Sequence, residues 1–182
     1  MPLVTSPWTI VASREVYANP WITVVEHDVI RPDGKPGLYG IVQSSLAVGV
    51  VPLTDEGNVV LVGQWRVPFD EWSWEIPEGG TGPDEDGLTA IKRELQEETG
   101  YVAREWELFG PTIQLSNSHS SEEADVYVAR GLTQVGANPD GDEVLEVIEV
   151  PFETALDMVD RGEITDSITV IALLRLARQR GA

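Results

Sequence analysis

Short runs of hydrophobic residues alternate along the chain with turn signals rich in Gly, Pro, Asn and Asp. β-branched and aromatic residues dominate these runs, which is typical of strands. Two of the runs flank the turn at Asp55–Asn58 and predict a hairpin. The predicted strands cover residues 21–30, 46–53, 59–64, 72–76, 106–109, 124–129 and 144–150.

Three further segments have the periodicity of helices. The clearest one begins after a capping residue, Asp84 or Asp86, and ends at Gly100. The other two cover about 151–162 and 167–180. Because strands and helices are interleaved irregularly, the order predicts an α+β fold with a mixed sheet rather than a doubly wound parallel sheet.

The N-terminal segment differs from the rest of the chain because its predicted strand pair has too little apolar sequence to form a core of its own. We expect residues 1–42 to form a β segment that packs on a partner such as another subunit, and residues 43–182 to form the main domain. This organisation predicts a homodimer in which the N-terminal segment crosses to the partner chain.

Composition and charge narrow the classes of function. The 182 residues include 12 Lys plus Arg, 31 Asp plus Glu and no Cys, which gives a net charge of −19. This charge argues against binding to nucleic acid or to anionic membranes. The absence of cysteine excludes disulfides and cysteine-ligated metals and fits a reducing compartment. With no signal peptide pattern or transmembrane run, the sequence predicts a soluble cytoplasmic protein.

Three carboxylates crowd one edge of the best-marked helix. Glu94, Glu97 and Glu98 share an arc of about 100° beside the apolar stripe. Like charges at this spacing destabilise a helix, so either a divalent cation lies among them or they form a solvated face. Arg93 is expected to point away from Glu94, towards Glu85 in the preceding loop, where the pair can orient the ligands.

The spacing of these residues resembles the Nudix box, G-x5-E-x7-R-E-U-x-E-E-x-G-U, where U is a bulky apolar residue. The residues that fall on its positions are Gly79, Glu85, Arg93, Glu94, Leu95, Glu97, Glu98, Gly100 and Tyr101. The resemblance implies an α/β/α sandwich and a hydrolase that uses Mg²⁺ or Mn²⁺ to cleave a nucleoside diphosphate linked to another group.

The same resemblance implies roles for individual residues. Glu94 and Glu98 would be the principal metal ligands, and the carbonyl of Glu78 would be an additional one. Glu97 would be a further ligand or would orient the attacking water. Glu85 and Arg93, the remaining charged positions of the box, would be the orienting pair.

Two upstream elements, Gln64-Trp65-Arg66 and Trp74–Gly79, resemble those of ADP-ribose pyrophosphatases and related nucleoside diphosphate sugar hydrolases. In that branch the arginine, here Arg66, contacts a diphosphate, which suits its planar guanidinium. Tyr17 and Trp21 match the region that stacks a base across the dimer, although aromatic residues at such positions also indicate a core.

The branch often takes a catalytic carboxylate from the loop that precedes the strand at 144–150. Glu143 is the candidate in that loop, with Asp142 behind it, and Glu122 and Glu123 in the serine-rich loop are alternatives. Two other functions also remain open. One is a non-catalytic nucleotide-sugar sensor with this fold. The other is a hydrolase of a different nucleoside diphosphate derivative, such as a dinucleoside polyphosphate or coenzyme A.

Overall fold

The computed structural model describes residues 5–136 and 144–181, which contain eleven strands and three helices. The strands are β1 (Thr9–Ala18), β2 (Ile22–Ile30), β3 (Pro36–Ser44), β4 (Ala47–Leu53), β5 (Asn58–Arg66), β6 (Glu71–Glu75), β7 (Glu78–Gly80), β8 (Tyr101–Leu108), β9 (Ile113–Gln114), β10 (Glu123–Gln134) and β11 (Glu146–Pro151). The helices are α1 (Gly87–Thr99), α2 (Phe152–Asp160) and α3 (Ser167–Arg180). All seven predicted strands and all three predicted helices are confirmed, with differences mainly at their ends.

The chain divides into two structural units. The first contains the chain up to Ser45 together with Gln114–Glu123, and the second contains Leu46–Ile113 together with the chain from Ala124 onward. No helix in the described part of the chain is both long and apolar enough to span a lipid bilayer.

The first unit contains an antiparallel sheet in the order β1-β2-β3. The sequence prediction of a strand pair here is wrong, because β1 and β3 flank β2 on both sides. Every residue of β1 is exposed, so its sequence lacks the alternation of apolar and polar residues that marks a half-buried strand. Within this unit, two hydrogen bonds join β3 to the loop at 116–121. The N–H of Val42 donates to the carbonyl of His119, and the hydroxyl of Tyr39 donates to the carbonyl of Ser118.

The second unit is a mixed sheet between helices. The strand order is β11-β5-β4-β10-β8, with β6 beside β5 and β7 beside β4. Strand β4 runs parallel to β10, and its other partners are antiparallel. Because β4 is central, nearly all of its residues are buried, which gives it a continuous apolar sequence instead of an alternating one.

Successive residues of β4 face opposite sides of the sheet. Val48 and Val50 pack with Ile91 and Leu95 of α1 in a buried cluster. A side chain at Gly49 would instead meet Ile168 of α3 and Ile76, which places α3 on the other face. The second unit is therefore the α/β/α sandwich that the resemblance implied.

Helix α1 has a defined residue at each end. Asp86 is the N-cap, and its carboxylate accepts hydrogen bonds of 3.0 and 2.8 Å from the main-chain N–H and the hydroxyl of Thr89. These bonds lower the pKa of Asp86. Gly100 adopts a left-handed conformation with φ of 74° and donates its N–H to the carbonyl of Gln96. Both caps agree with the sequence prediction, and they fix the rotation of the helix.

Candidate active site

The glutamates of α1 lie beside its buried stripe. Ala90, Ile91 and Leu95 are fully buried against the sheet. Glu98 is almost as deeply buried, with 4% of its surface exposed, whereas the side chain of Glu97 is 29% exposed. A buried carboxylate is unfavourable unless hydrogen bonds or cations compensate for its lost hydration. The burial of Glu98 therefore points to a specific role for this side chain.

Arg93 connects the helix to the preceding loop. Its guanidinium bonds Glu85 at 3.2 and 3.1 Å, Glu94 at 2.8 Å and Glu97 at 2.9 Å, and it also donates to the carbonyl of Gly80 at 3.3 Å. The pairing with Glu85 agrees with the sequence prediction. The expectation that Arg93 points away from Glu94 is wrong, because its Nη1 donates to Glu94 as well as to Glu97.

Glu85 gains a second anchor from the main chain. Its carboxylate accepts a hydrogen bond of 2.8 Å from the N–H of Gly82 in addition to those from Arg93. The bonds from Arg93, followed by the bond from Gly82, lower the pKa of Glu85. The loop before α1 is thus held to the helix by a carboxylate that stays ionised at neutral pH.

Two further glutamates of α1 meet the main chain of β7. The N–H of Glu78 donates to a carboxylate oxygen of Glu98 at 3.1 Å. The carboxylate of Glu94 lies so close to Gly79 that any side chain at position 79 would overlap it. Strand β7 is held in place by its pairing with β4, where Glu78 is opposite Gly49. Two carboxylates therefore converge on one dipeptide of the sheet.

The oxygen atoms around Glu78 and Gly79 are of the kind that bind divalent cations. In the described part of the chain, no three acidic or histidine side chains already surround a common point, and Arg93 occupies oxygens of Glu94 and Glu97. The carboxylates of α1 and the main-chain carbonyl of Glu78 would nevertheless supply oxygen ligands, which Mg²⁺ and Mn²⁺ prefer. Because residue 79 is glycine, the Glu94 carboxylate can approach the main chain at a place that a Cβ atom would otherwise fill. These residues therefore fit the ion that the box implies.

Arg66 lies at the end of β5 and is held by carboxylates of β6 and β7. Its Nε donates to Glu75 at 2.8 Å, and its Nη2 bonds both Glu75 and, at 2.8 Å, Glu78. Gln64 donates to the same Glu75 carboxylate at 3.1 Å. The Glu75 side chain is only 2% exposed, whereas that of Arg66 is 37% exposed. Glu75 therefore fixes the guanidinium while leaving part of it open to solvent.

Arg66 lines a cleft of about 530 Å³. Phe69, Glu75, Glu78 and the residues around Asp166, at the start of α3, also line this cleft. Burial raises the pKa of Glu78 well above its usual range, and the carboxylates of Asp166 and Glu75 add to the effect while Arg66 opposes it. The carboxyl side chains that line the cleft beside Arg66 are those of Glu71, Glu75, Glu78 and Asp166.

The remaining predicted site residues belong to the first structural unit or lie outside the described residues. Tyr17 and Trp21 belong to the first unit, where they are 54% and 77% exposed. The alternative that they form a core is therefore wrong for this chain. Glu143 and its neighbour Asp142 lie outside the described residues. Of their alternatives, Glu122 and Glu123 belong to the first unit, in the segment Gln114–Glu123.

Sequence reasoning assigned no role to Glu75, which holds Arg66, or to Gln64, which bonds Glu75. A usable signal was present in the β5–β6 hairpin. In this hairpin Gln64 lies opposite Ser73, and Arg66 lies opposite Glu71. Glu75 is two residues beyond Ser73, so it lies on the same face of the hairpin as Gln64 and Arg66. Polar residues that recur at every second position across a hairpin otherwise rich in tryptophan indicate a functional face.

Comparisons with known proteins give a consistent result. The model of the NUDIX domain matches residues 44–169, and that of the nucleoside diphosphate sugar hydrolase N-terminal domain matches residues 8–42. The chain is 33% identical to the ADP-ribose pyrophosphatase of Bacillus subtilis (strain 168), covering 90% of this chain and 89% of the relative. It is 32% identical to the methanol dehydrogenase activator of Bacillus methanolicus, covering 93% and 92%.

A solved structure shares the fold. The crystal structure of an ADP compounds hydrolase superposes with a TM-score of 0.85, covering 98% of this chain and 96% of that one. Sequence identity between the two is 22%, so the likeness concerns the fold alone.

Proposed function

The chain belongs to the NUDIX domain family, and from this premise we propose that it cleaves the diphosphate bridge of ADP-ribose or a related nucleoside diphosphate sugar. The products would be a nucleoside monophosphate and a sugar phosphate. The observation that carries the proposal is the meeting of Glu94 and Glu98 with the main chain at Glu78–Gly79. The match of the N-terminal segment to a nucleoside diphosphate sugar hydrolase domain, and the ADP-ribose pyrophosphatase among the relatives, support the substrate class.

Members of this family generally need a divalent metal ion, and we propose Mg²⁺ or Mn²⁺ here. Glu94 and Glu98 would be the principal ligands, with the carbonyl of Glu78 and then Glu97 as further ones. When bound, the ion neutralises charge on the diphosphate and lowers the pKa of a coordinated water. Arg93, through its bonds to Glu85, Glu94 and Glu97, keeps these carboxylates aligned.

The group that activates the attacking water would be a carboxylate. Glu143, which lies outside the described residues, is the candidate from the sequence, with Asp142, Glu122 and Glu123 as alternatives. Glu97 is a further alternative, since its partial exposure leaves it accessible to water. Carboxylates are the natural bases here because, among the described residues, the charged side chains that bond these glutamates are arginines.

Arg66 would contact the substrate diphosphate. Glu75 holds the guanidinium, and Gln64 holds Glu75 in turn, so the exposed part of Arg66 is a positive group that an anionic substrate meets at the cleft. Bidentate geometry is the reason that arginine suits this task better than lysine.

A substrate panel tests this function. The chain should be incubated with Mg²⁺ or Mn²⁺ and ADP-ribose, GDP-mannose, UDP-glucose, a diadenosine polyphosphate, coenzyme A or a nucleoside triphosphate, and the products separated by ion-exchange chromatography. Metal-dependent release of a nucleoside monophosphate from a nucleotide sugar is expected. Preference for the dinucleoside polyphosphate or coenzyme A would reassign the substrate, and ligand binding without turnover of any compound would favour a sensor.

The N-terminal segment would serve assembly and substrate binding. We propose that residues 1–42 mediate a homodimer, with residues 43–182 as the hydrolase domain, and that Tyr17 and Trp21 stack on a base across the dimer. The exposure of Ile10, Val11 and Tyr17 along β1 supports this, because an exposed apolar strand is a common interaction surface. Light scattering should give twice the 19.9 kDa of one chain. A mass of one chain at micromolar concentration would contradict the proposal.

The proposed compartment is the cytoplasm. The chain has no cysteine, so nothing in its covalent structure depends on an oxidising environment. Fractionation of cells that express the full chain, followed by immunoblotting, tests this placement.

A further inference from the structure

A buried hydroxyl joins helix α3 to the strand connection that precedes the candidate active site. Oγ1 of Thr169 accepts a hydrogen bond of 3.0 Å from the main-chain N–H of Ile76. Thr169 and Ile76 are both fully buried, so water cannot replace either partner. Thr169 is itself fixed, because its own N–H donates to the N-cap residue Asp166 at 2.7 Å.

The main chain at Ile76–Pro77 links the two parts of the candidate site. It connects β6, which ends at Glu75, to β7, which begins at Glu78. Glu75 holds Arg66, while the N–H of Glu78 bonds a carboxylate from α1. A shift of this dipeptide would therefore change the distance between the arginine and the carboxylates.

Close packing transmits such a shift. A side chain at Gly49 would lie 2.9 Å from Ile168 and 3.1 Å from Ile76, so these two isoleucines fill the space above the β4 backbone. The carbonyl of Pro77 also accepts a hydrogen bond of 2.9 Å from Val50 on β4. The connection is therefore held from the sheet on one side and from α3 on the other.

We propose that Thr169 is a positioning residue for the hydrolysis. Its hydroxyl holds Ile76, and thereby sets the placement of the Glu78 main chain against Glu98 and of Glu75 against Arg66. The inference rests on the proposed function for its effect on turnover. A valine at position 169 would fill the same volume, so packing alone does not require threonine, whereas the buried N–H of Ile76 does require an acceptor.

The experiment compares variants that differ in the hydroxyl. Thr169→Val removes the acceptor and keeps the shape, and Thr169→Ser keeps the acceptor. Leu176→Val, which shortens a fully buried side chain about two turns along α3, is the matched control for loss of stability. The metal-free full-length chain is titrated with Mn²⁺, free Mn²⁺ is measured by electron paramagnetic resonance, and turnover and Tm are measured on the same preparations.

Thr169→Val should raise the Kd for Mn²⁺ by about threefold to tenfold, the range for one lost neutral hydrogen bond, and should lower kcat at saturating metal. Thr169→Ser should remain within about twofold of the parent chain for both quantities, and Leu176→Val should lower Tm with an unchanged Kd. If Thr169→Val does not fold, Thr169→Ala compared with Thr169→Ser isolates the same hydroxyl.

Two results would overturn the inference. One is an equal Kd for the variants with and without the hydroxyl. The other is a Kd that rises in Leu176→Val as much as in Thr169→Val, since the effect would then follow stability alone. Failure of the parent chain to hydrolyse any nucleotide sugar would instead count against the proposed function, and the Mn²⁺ titration would still decide the placement of Ile76.

Discussion

Replacing Arg66 with alanine should weaken the fold as well as substrate binding. The substitution leaves Glu75 and Glu78 without their cation, and their side chains are only 2% and 12% exposed. Removing one partner from a fully buried ion pair costs about 3–5 kcal/mol. Because the Arg66 side chain is 37% exposed and borders an open cleft, solvent screening reduces the expected loss to about 1–3 kcal/mol.

A double-mutant cycle measures this coupling. The free energy of unfolding in urea with EDTA is determined for the parent chain, Arg66→Ala, Glu75→Gln and the double variant. The double variant should lose less stability than the two single variants together, by about 0.5–3 kcal/mol. The reason is that glutamine at position 75 is neutral and needs no cation beside it. Arg66→Lys should lose less stability than Arg66→Ala, since it retains the charge.

Kinetics then separate the two roles of Arg66. Arg66→Lys keeps a positive charge but loses the bidentate fork, so its KM should rise about tenfold or more with metal affinity unchanged. Unfolding energies for Arg66→Ala within about 0.3 kcal/mol of the parent chain, or purely additive losses in the cycle, would refute the structural part of the reasoning. An unchanged KM in both variants would remove Arg66 from the substrate site.

Three further predictions concern α1 and its contacts. Glu98→Gln should lower kcat by more than about 100-fold with an unchanged circular dichroism spectrum, and full turnover of the parent chain in excess EDTA would contradict the metal role. Gly79→Ala should displace the Glu94 carboxylate and lower turnover far more than Gly40→Ala, a control position with open space around it; equal effects would count against the close approach. Asp86→Ala should destabilise the chain most near neutral pH. Hydrogen bonds from the first turn of α1 lower the pKa of Asp86. The ionised carboxylate therefore stabilises the fold above the ordinary carboxyl pKa, and this contribution is lost as the pH falls through the lowered pKa. Urea midpoints between pH 3 and pH 7 check this, and a difference that grows towards low pH would be the opposite result.

The sequence predicted α1 and its caps well because their signals are local. Asp86 and Gly100 act through hydrogen bonds within a few residues, and the apolar stripe needs only a period of 3.6. The order of strands and helices was sufficient for the mixed sheet. These features depend on neighbours in the sequence, which a single chain displays directly.

Other parts of the molecule depend on distant residues and were missed or misread. Strand β1 is exposed along its whole length, so it lacks a hydrophobic alternation. The reach of Arg93 to Glu94 depends on side-chain length and rotamer, which spacing alone does not give. Thr169 bonds Ile76 across 93 positions of sequence, and a buried threonine at that spacing has no local signature.

The two caps of α1 have a consequence for how this segment can be altered. Since the helix is fixed at Asp86 and at Gly100, it cannot slide to absorb a change in length. One inserted residue would turn everything after it by about 100° and would carry Glu98 away from Glu78. Exposed positions such as Lys92 accept substitution instead. A designer who transplants this chemistry into another scaffold must therefore move residues 78–101 as one block of constant length and place all variation in length outside it.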